Sequence, residues 1–298
     1  MHFTRFRLAF WRAFQHGQFM LAKGAAYSSI LTLFPAFLVV ASALEASHQT
    51  ETFLRQISTA VGWALPPGTR SMALSFFQST KHHPARLIFS ASVVTILAAT
   101  GVMISWMEGF RRAYGMQNTW GFWRERAVAI YLVFLALLPL GFSTLLVVFG
   151  DEIEIWMQRE AMHIFRPLVW LVFMLIRWSI AILTCVTFIG LIYHHGMPKT
   201  QSWRRVLPGA ALATFLWFPA TMLFGWYVTN YANYTVVYGS LAAAIALLVW
   251  LYIVSVIVLL GAEFNAQVYP KIESQSGDGG QISKSRFSKT EEGSSAAI

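Results

Sequence analysis

Val206-Leu-Pro-Gly-Ala-Ala-Leu-Ala-Thr-Phe-Leu-Trp-Phe-Pro-Ala-Thr-Met-Leu-Phe-Gly-Trp-Tyr-Val228 opens a run that reaches Ala262 without a Lys, Arg, Asp, Glu or His, 57 residues in all. A helix crossing a bilayer needs roughly 20 apolar residues, so the run is too long for one crossing and suits two. Its middle supplies the turn: Tyr227-Val-Thr-Asn230-Tyr-Ala-Asn233-Tyr-Thr-Val-Val-Tyr238-Gly239. Asn and Gly favour turns, and Tyr favours the membrane–water interface. The expected element is a helical hairpin, with crossings over 206–228 and 240–262. A buried core of a soluble protein is the alternative. It fails because a soluble domain has no way to cover this much uncharged sequence.

Composition extends the reading to the whole chain. Of 298 residues, 56% are hydrophobic and 12% charged, and mean hydropathy is +0.55. Soluble domains carry about 25% charged residues. The expected fold class is all-α: a polytopic membrane protein with a six-transmembrane-helix bundle and interfacial amphipathic helices. Residues 1–270 form a single membrane domain with spans near 25–44, 87–107, 127–150, 168–193, 206–228 and 240–262. Residues 271–298, rich in Ser, Gly and charge, read as a disordered cytoplasmic tail. Cys185 stands alone, which excludes an internal disulfide. Basic residues among the aromatics of 1–23 break any signal-peptide core.

Met1–Lys23 places Phe3, Phe6, Phe10 and Phe14 at helical spacing with basic residues between them. That pattern fits an amphipathic helix in the membrane surface, with a solvated tail as the alternative. In span one, Tyr27, Ser28, Ser29 and Thr32 make the first turns polar, and Pro35 leaves a carbonyl unpaired. Residues 45–86 read as an extracytoplasmic helical loop. In span two, Gly101, Ser105 and Gly109 recur every four residues, a small-residue face for close helix contact. Pro139, Pro208 and Pro219 join Pro35 as interruptions of the kind seen in discontinuous transporter helices.

Six spans gather fifteen of the 22 Lys and Arg on the side of both termini and six on the other, with Arg177 inside span four. The positive-inside rule puts both termini in the cytoplasm. This bias accounts for the basic pI without a nucleic-acid partner.

Pro208-Gly209-Ala210, Trp217, Asn230-Tyr-Ala-Asn233-Tyr, Tyr238-Gly239-Ser240, Trp250-Leu-Tyr252 and Leu260-Gly261-Ala262-Glu263-Phe264-Asn265 occur in this order. With Ala25-Ala26-Tyr27-Ser-Ser-Ile-Leu-Thr-Leu-Phe34-Pro35, the pattern resembles the YihY/BrkB family of bacterial inner-membrane proteins over about residues 17–270. Part of that family has carried the label ribonuclease BN. The resemblance implies a six-helix bundle in the inner membrane and a role in envelope integrity, with lipid movement as one proposed activity.

The residues themselves give no sign of hydrolytic chemistry. His, Cys, Asp and Glu are not clustered at metal-ligand spacing, and the His82-His83 and His194-His195 pairs read as loop neighbours whose side chains diverge. No phosphate-binding Gly-Lys-Ser/Thr loop and no catalytic triad is legible, so neither enzyme activity nor a cofactor is expected.

The candidate substrate-binding residues are Arg177, Tyr27, Pro35, Asn230, Asn233, Tyr238 and Glu263. If span four begins at Leu168, Arg177 lies about 15 Å deep and marks function. If it begins near Met174, the side chain snorkels to the outer interface. Glu263 marks the end of span six, either paired with a loop Arg or acting as a gate. Asn230, Asn233 and Tyr238 serve the turn or meet a lipid headgroup. The expected partners are membrane lipids and an envelope protein. The leading function is to move or expose lipid, with a non-transporting scaffold as the alternative and a ribonuclease last.

Overall fold

The structure is a computed structural model that describes residues 2–46, 85–116, 120–139, 166–199, 201–230 and 242–268. Seven helices fill these stretches, and the described residues contain no strand. They are α1 (His2–Gln15), α2 (Gln18–Ala46), α3 (Ala85–Ala113), α4 (122–139), α5 (Arg166–His195), α6 (Trp203–Asn230) and α7 (Ala242–Val268). Five of the described helices are long and apolar enough to cross a membrane: α2, α3, α5, α6 and α7. Of the expected span 127–150, only the part to residue 139 lies within the described residues, as α4. The expected loop between Ala46 and Ala85, the hairpin tip from 231 to 241 and the tail after 268 lie outside them.

The N-terminal segment departs from the single helix expected over 1–23. It breaks at Gly17, whose φ of 69° is the left-handed conformation that closes a helix C-terminus. The Gly17 N–H turns back to the Phe14 carbonyl at 3.2 Å, and α2 starts on the next residue. α3 ends the same way at Gly115, φ 58°. There the N–H of Met116 reaches the Arg111 carbonyl and that of Gly115 reaches Arg112. Both turns set side chains of the loops against the same end of the bundle.

α2 and α3 form the most extensive pairing, and small residues make it possible. A Cβ on Gly101 would lie 2.7 Å from the Ser28 hydroxyl, and one on Gly24 would lie 3.4 Å from that of Ser105. The four-residue recurrence in span two is therefore a packing face, as expected. Ser29 and Thr32 donate to the carbonyls of Ala25 and Ser28, each one turn back in their own helix. α7 packs against both α2 and α6, α5 lies along α6, and α1 lies along α7.

Three of the four prolines do not make discontinuous helices, and Pro139 is the last described residue of α4. α2 runs through Pro35, and α6 runs through Pro208 and Pro219. Each ring removes one N–H from the ladder, which a long helix tolerates when its neighbours hold it. α7 likewise does not stop at Ala262, because the helix carries Glu263 inward and ends at Val268.

Candidate functional site

The densest polar construction lies where α6 begins and α7 ends. The two helices cross on glycines. A Cβ on Gly209 would collide with the Gly261 carbonyl oxygen, and one on Gly261 with the Gly209 carbonyl and the Tyr193 hydroxyl. Pro208 supplies no N–H here. The adjacent Gly209 N–H is taken by Asn265, whose Oδ1 accepts it at 2.6 Å. The Asn265 Nδ2 donates to the Val206 carbonyl at 3.0 Å. One fully buried amide thus brackets the first turns of the neighbouring helix. From α5, the buried Tyr193 hydroxyl donates to the Val258 carbonyl at 2.5 Å, and its ring meets Phe110 edge-on. Three helix ends are tied into one knot.

Glu263 sits inside this knot at 0% exposure. The expected pairing with a loop arginine is not what the described residues make. The carboxylate Oε1 lies 2.7 Å from His16 Nδ1 and accepts from Gln18 Nε2 at 2.8 Å. The same Gln18 Nε2 reaches the Gly109 carbonyl at 2.9 Å. The sharp turn at Gly17 makes this possible, since it presents both flanking side chains to α7. Burial holds the Tyr114 phenol above the ordinary tyrosine range, with Arg205 pulling it down and the Glu263 carboxylate pushing it up. Tyr114, Arg205 and Glu263 therefore share one electrostatic neighbourhood.

A second ion cluster flanks the first. Arg111, 4% exposed, pairs with Glu108 at 2.6 Å and with Glu125 at 2.7 Å. Arg112 reaches the other Glu108 oxygen at 2.9 Å. These pairs stitch the end of α3 to the start of α4. With Lys199, Arg204 and Arg205 nearby in sequence to the ends of α5 and α6, this is the basic end of the bundle.

The histidine pair is also corrected. His194 and His195 belong to the last turn of α5, and their rings approach to 4.7 Å instead of diverging. Nδ1 of His194 contacts the Gln201 carbonyl, and that of His195 contacts Leu191. His194 also stacks on Trp203 at 5.0 Å. The pair closes the turn between α5 and α6. Among the described residues, no three His, Cys, Asp or Glu side chains are grouped as metal ligands.

The other candidates are scattered. Arg177 is half-buried on α5, about 16 Å along the helix from Arg166 and about 24 Å from Tyr193. Tyr27 is 63% exposed on α2, and Pro35 is half-buried two turns further on. Asn230 closes α6, its Nδ2 donating to the Trp226 carbonyl at 2.8 Å. Asn233 and Tyr238 lie outside the described residues. Of the seven, only Glu263 belongs to the polar knot. His16, Gln18, Tyr193 and Asn265 were not singled out for a site. The signal that could have found Asn265 was its place in Gly261-Ala-Glu263-Phe-Asn265, opposite Pro208-Gly209.

A bundle of apolar helices, sealed at its basic end by buried side-chain hydrogen bonds, defines a polytopic helical membrane protein. The family model of the virulence factor BrkB matches residues 9–281, and the chain belongs to that family. It is 28% identical over 249 residues to the ribonuclease-like protein YfkH of Bacillus subtilis, covering 83% of this chain and 88% of that one. It is also 28% identical over 270 residues to a UPF0761 membrane protein of Tolumonas auensis, covering 88% and 84%. No solved structure matches.

Proposed function

We propose that this protein moves or exposes a lipid, a phospholipid or a lipid-linked substrate, across or out of the bacterial inner membrane. In this reading both termini are cytoplasmic, and the basic end of the bundle faces the cytoplasm. The charge bias of the loops supports that orientation. An envelope protein partner is compatible with the same reading.

The observation that carries it is the change in packing along α5. At its C-terminal end Ile192 and Tyr193 are 1% exposed and held in the core. About two to six turns earlier, Leu171, Val172, Met174, Leu175, Ile176, Trp178, Ile182 and Leu183 are exposed among the described residues. Arg177 is half-buried in that apolar stretch. A helix anchored at one end and lipid-facing over the rest offers acyl chains a surface to follow. A guanidinium on that surface is suited to hold a phosphate through paired hydrogen bonds.

The test is reconstitution in liposomes bearing a headgroup-labelled phospholipid, followed by quenching of the outer leaflet. Loss of signal beyond one half is the expected result, with Arg177→Ala protein returning it to one half. A wild-type signal that stays at one half overturns the lipid reading and leaves a non-transporting scaffold.

A further inference from the structure

α1 has 14 residues, too few for a helix to cross a bilayer, which takes roughly 20. It lies along α7 instead, with Ala9 and Ala13 packed on Leu260 and Phe264 and with Leu212 and Leu216 of α6 against the same cluster. Rings hold it as well. Phe19 at the start of α2 meets Phe10 edge-on at 5.9 Å and Phe14 at 6.3 Å, and Trp11 stacks on Phe14 at 6.3 Å. A Cβ on Gly17, in the turn that follows, would lie 3.4 Å from the Arg112 guanidinium, so α1 belongs to the basic end of the bundle.

Successive residues of a helix turn by about 100°. Ala9 and Ala13 therefore share one sector of α1, the one that faces the bundle. Phe10, Phe14, Arg7 and Trp11 fill the next sector, and Gln15, Leu8 and Arg12 the one after. Docking on the bundle leaves the rings of the second sector bare: Phe10, Trp11 and Phe14 are 51%, 60% and 67% exposed. Arg7 and Arg12 are exposed too, and neither has a carboxylate partner among the described residues. α1 contains no acid, and the first acid of the chain is Glu45. A helix with one sector on protein, one of bare rings and one polar and cationic fits the plane of a membrane surface.

We infer that this outer face of α1 is a docking surface for anionic phospholipid of the surrounding leaflet. Phe10, Trp11 and Phe14 enter the boundary between headgroups and acyl chains, where aromatic rings are favoured. Arg7 and Arg12 reach headgroup phosphates with paired N–H donors, and their unneutralised charge selects anionic over zwitterionic lipid. The start of α4 repeats the pairing at the same end of the bundle. Phe122 and Trp123 are exposed there, and the Arg126 guanidinium stands 5.4 Å from the Phe122 ring. Bare rings beside cations also suit a nucleic acid, but here the rings adjoin a flank of apolar membrane helices, and the surface that fits them is lipid. The inference goes beyond lipid movement and does not depend on it: a bundle that moves no lipid still needs this face covered.

The experiment uses the full chain in single-copy nanodiscs of phosphatidylcholine and phosphatidylglycerol. A spin label at Trp11→Cys in a Cys185→Ser background is expected to collide with oxygen dissolved in lipid and to be shielded from a water-soluble nickel chelate. Spin-labelled lipids then report which headgroup the unlabelled protein holds. At low salt the wild type is expected to restrain phosphatidylglycerol at least about twice as strongly as phosphatidylcholine, and high salt lowers the ratio. Arg7→Gln/Arg12→Gln protein lowers it by at least about 1.5-fold, whereas Arg7→Lys/Arg12→Lys protein keeps most of it, because the leaflet attracts either cation. A label open to the nickel chelate, equal restraint of the two lipids by the wild type, or a ratio unmoved in Arg7→Gln/Arg12→Gln protein overturns the inference. RNA binding that this double variant abolishes while the lipid ratio stays unchanged overturns it in favour of a nucleic-acid surface.

Discussion

The basic end of α7 and the N-terminal half of α5 are both apolar to the eye of a hydropathy scale, yet they are built on opposite plans. Around Gly261 the backbones of α6 and α7 touch, and Glu263 and Asn265 are fully buried with hydrogen bonds to three other segments. Around Arg177 many of the described apolar side chains are exposed, and the Trp178 ring meets that of Phe218 on α6 at 6.1 Å. In a bilayer, apolar side chains gain little by leaving lipid for protein. Close backbone approach and polar pairs therefore decide where helices hold together. The first region fixes the bundle, and the second leaves a helix free to meet lipid.

That contrast is broken most severely at the glycine crossing. Gly261→Val places a Cβ where the Gly209 carbonyl and the Tyr193 hydroxyl already stand, with two methyl groups beyond it. The expected cost is about 3 kcal/mol or more, read as loss of the monodisperse peak in detergent or a large fall in melting temperature. Asn265→Leu comes next. It keeps the volume but strips the Gly209 N–H and the Val206 carbonyl of their side-chain partner. A cost of about 1–3 kcal/mol is expected, and Asn265→Asp, which retains the acceptor, should fall between Leu and wild type. If Asn265→Leu melts with the wild type, the bracket is not what joins the two helices.

How much of this the chain disclosed differs between the same two regions. The long uncharged run showed its two crossings because a period-free apolar stretch in lipid needs no partner to be read. The Gly101, Ser105 and Gly109 recurrence showed a packing face for the same reason, since small residues at one spacing mean close approach wherever the partner lies. The polar knot was hidden. His16 and Gln18 are about 245 positions from Glu263, and no local pattern pairs residues so far apart. Adjacent histidines suggested diverging loop side chains, but the last turn of α5 and the stack on Trp203 bring the rings together. The end of span six was placed at the first charge, and that rule fails when the charge is satisfied inside the protein. The residues quoted for the family resemblance, Pro208-Gly209 and Gly261 to Asn265, prove to face each other.

The smallest stability effect belongs to the α5 side. Arg177→Ala removes a half-buried cation from a stretch whose described neighbours bury little surface. The expected cost is about 1 kcal/mol, so its melting temperature should fall less than that of either α7 variant. The lipid assay should nevertheless respond, and Arg177→Lys should recover only part of the loss, because an ammonium offers a point charge in place of a planar fork. The two readouts together sharpen the comparison. A large fall in melting temperature for Arg177→Ala would mean that α5 is anchored along its length as α7 is, and the division between a fixed half and a lipid-facing half would no longer hold.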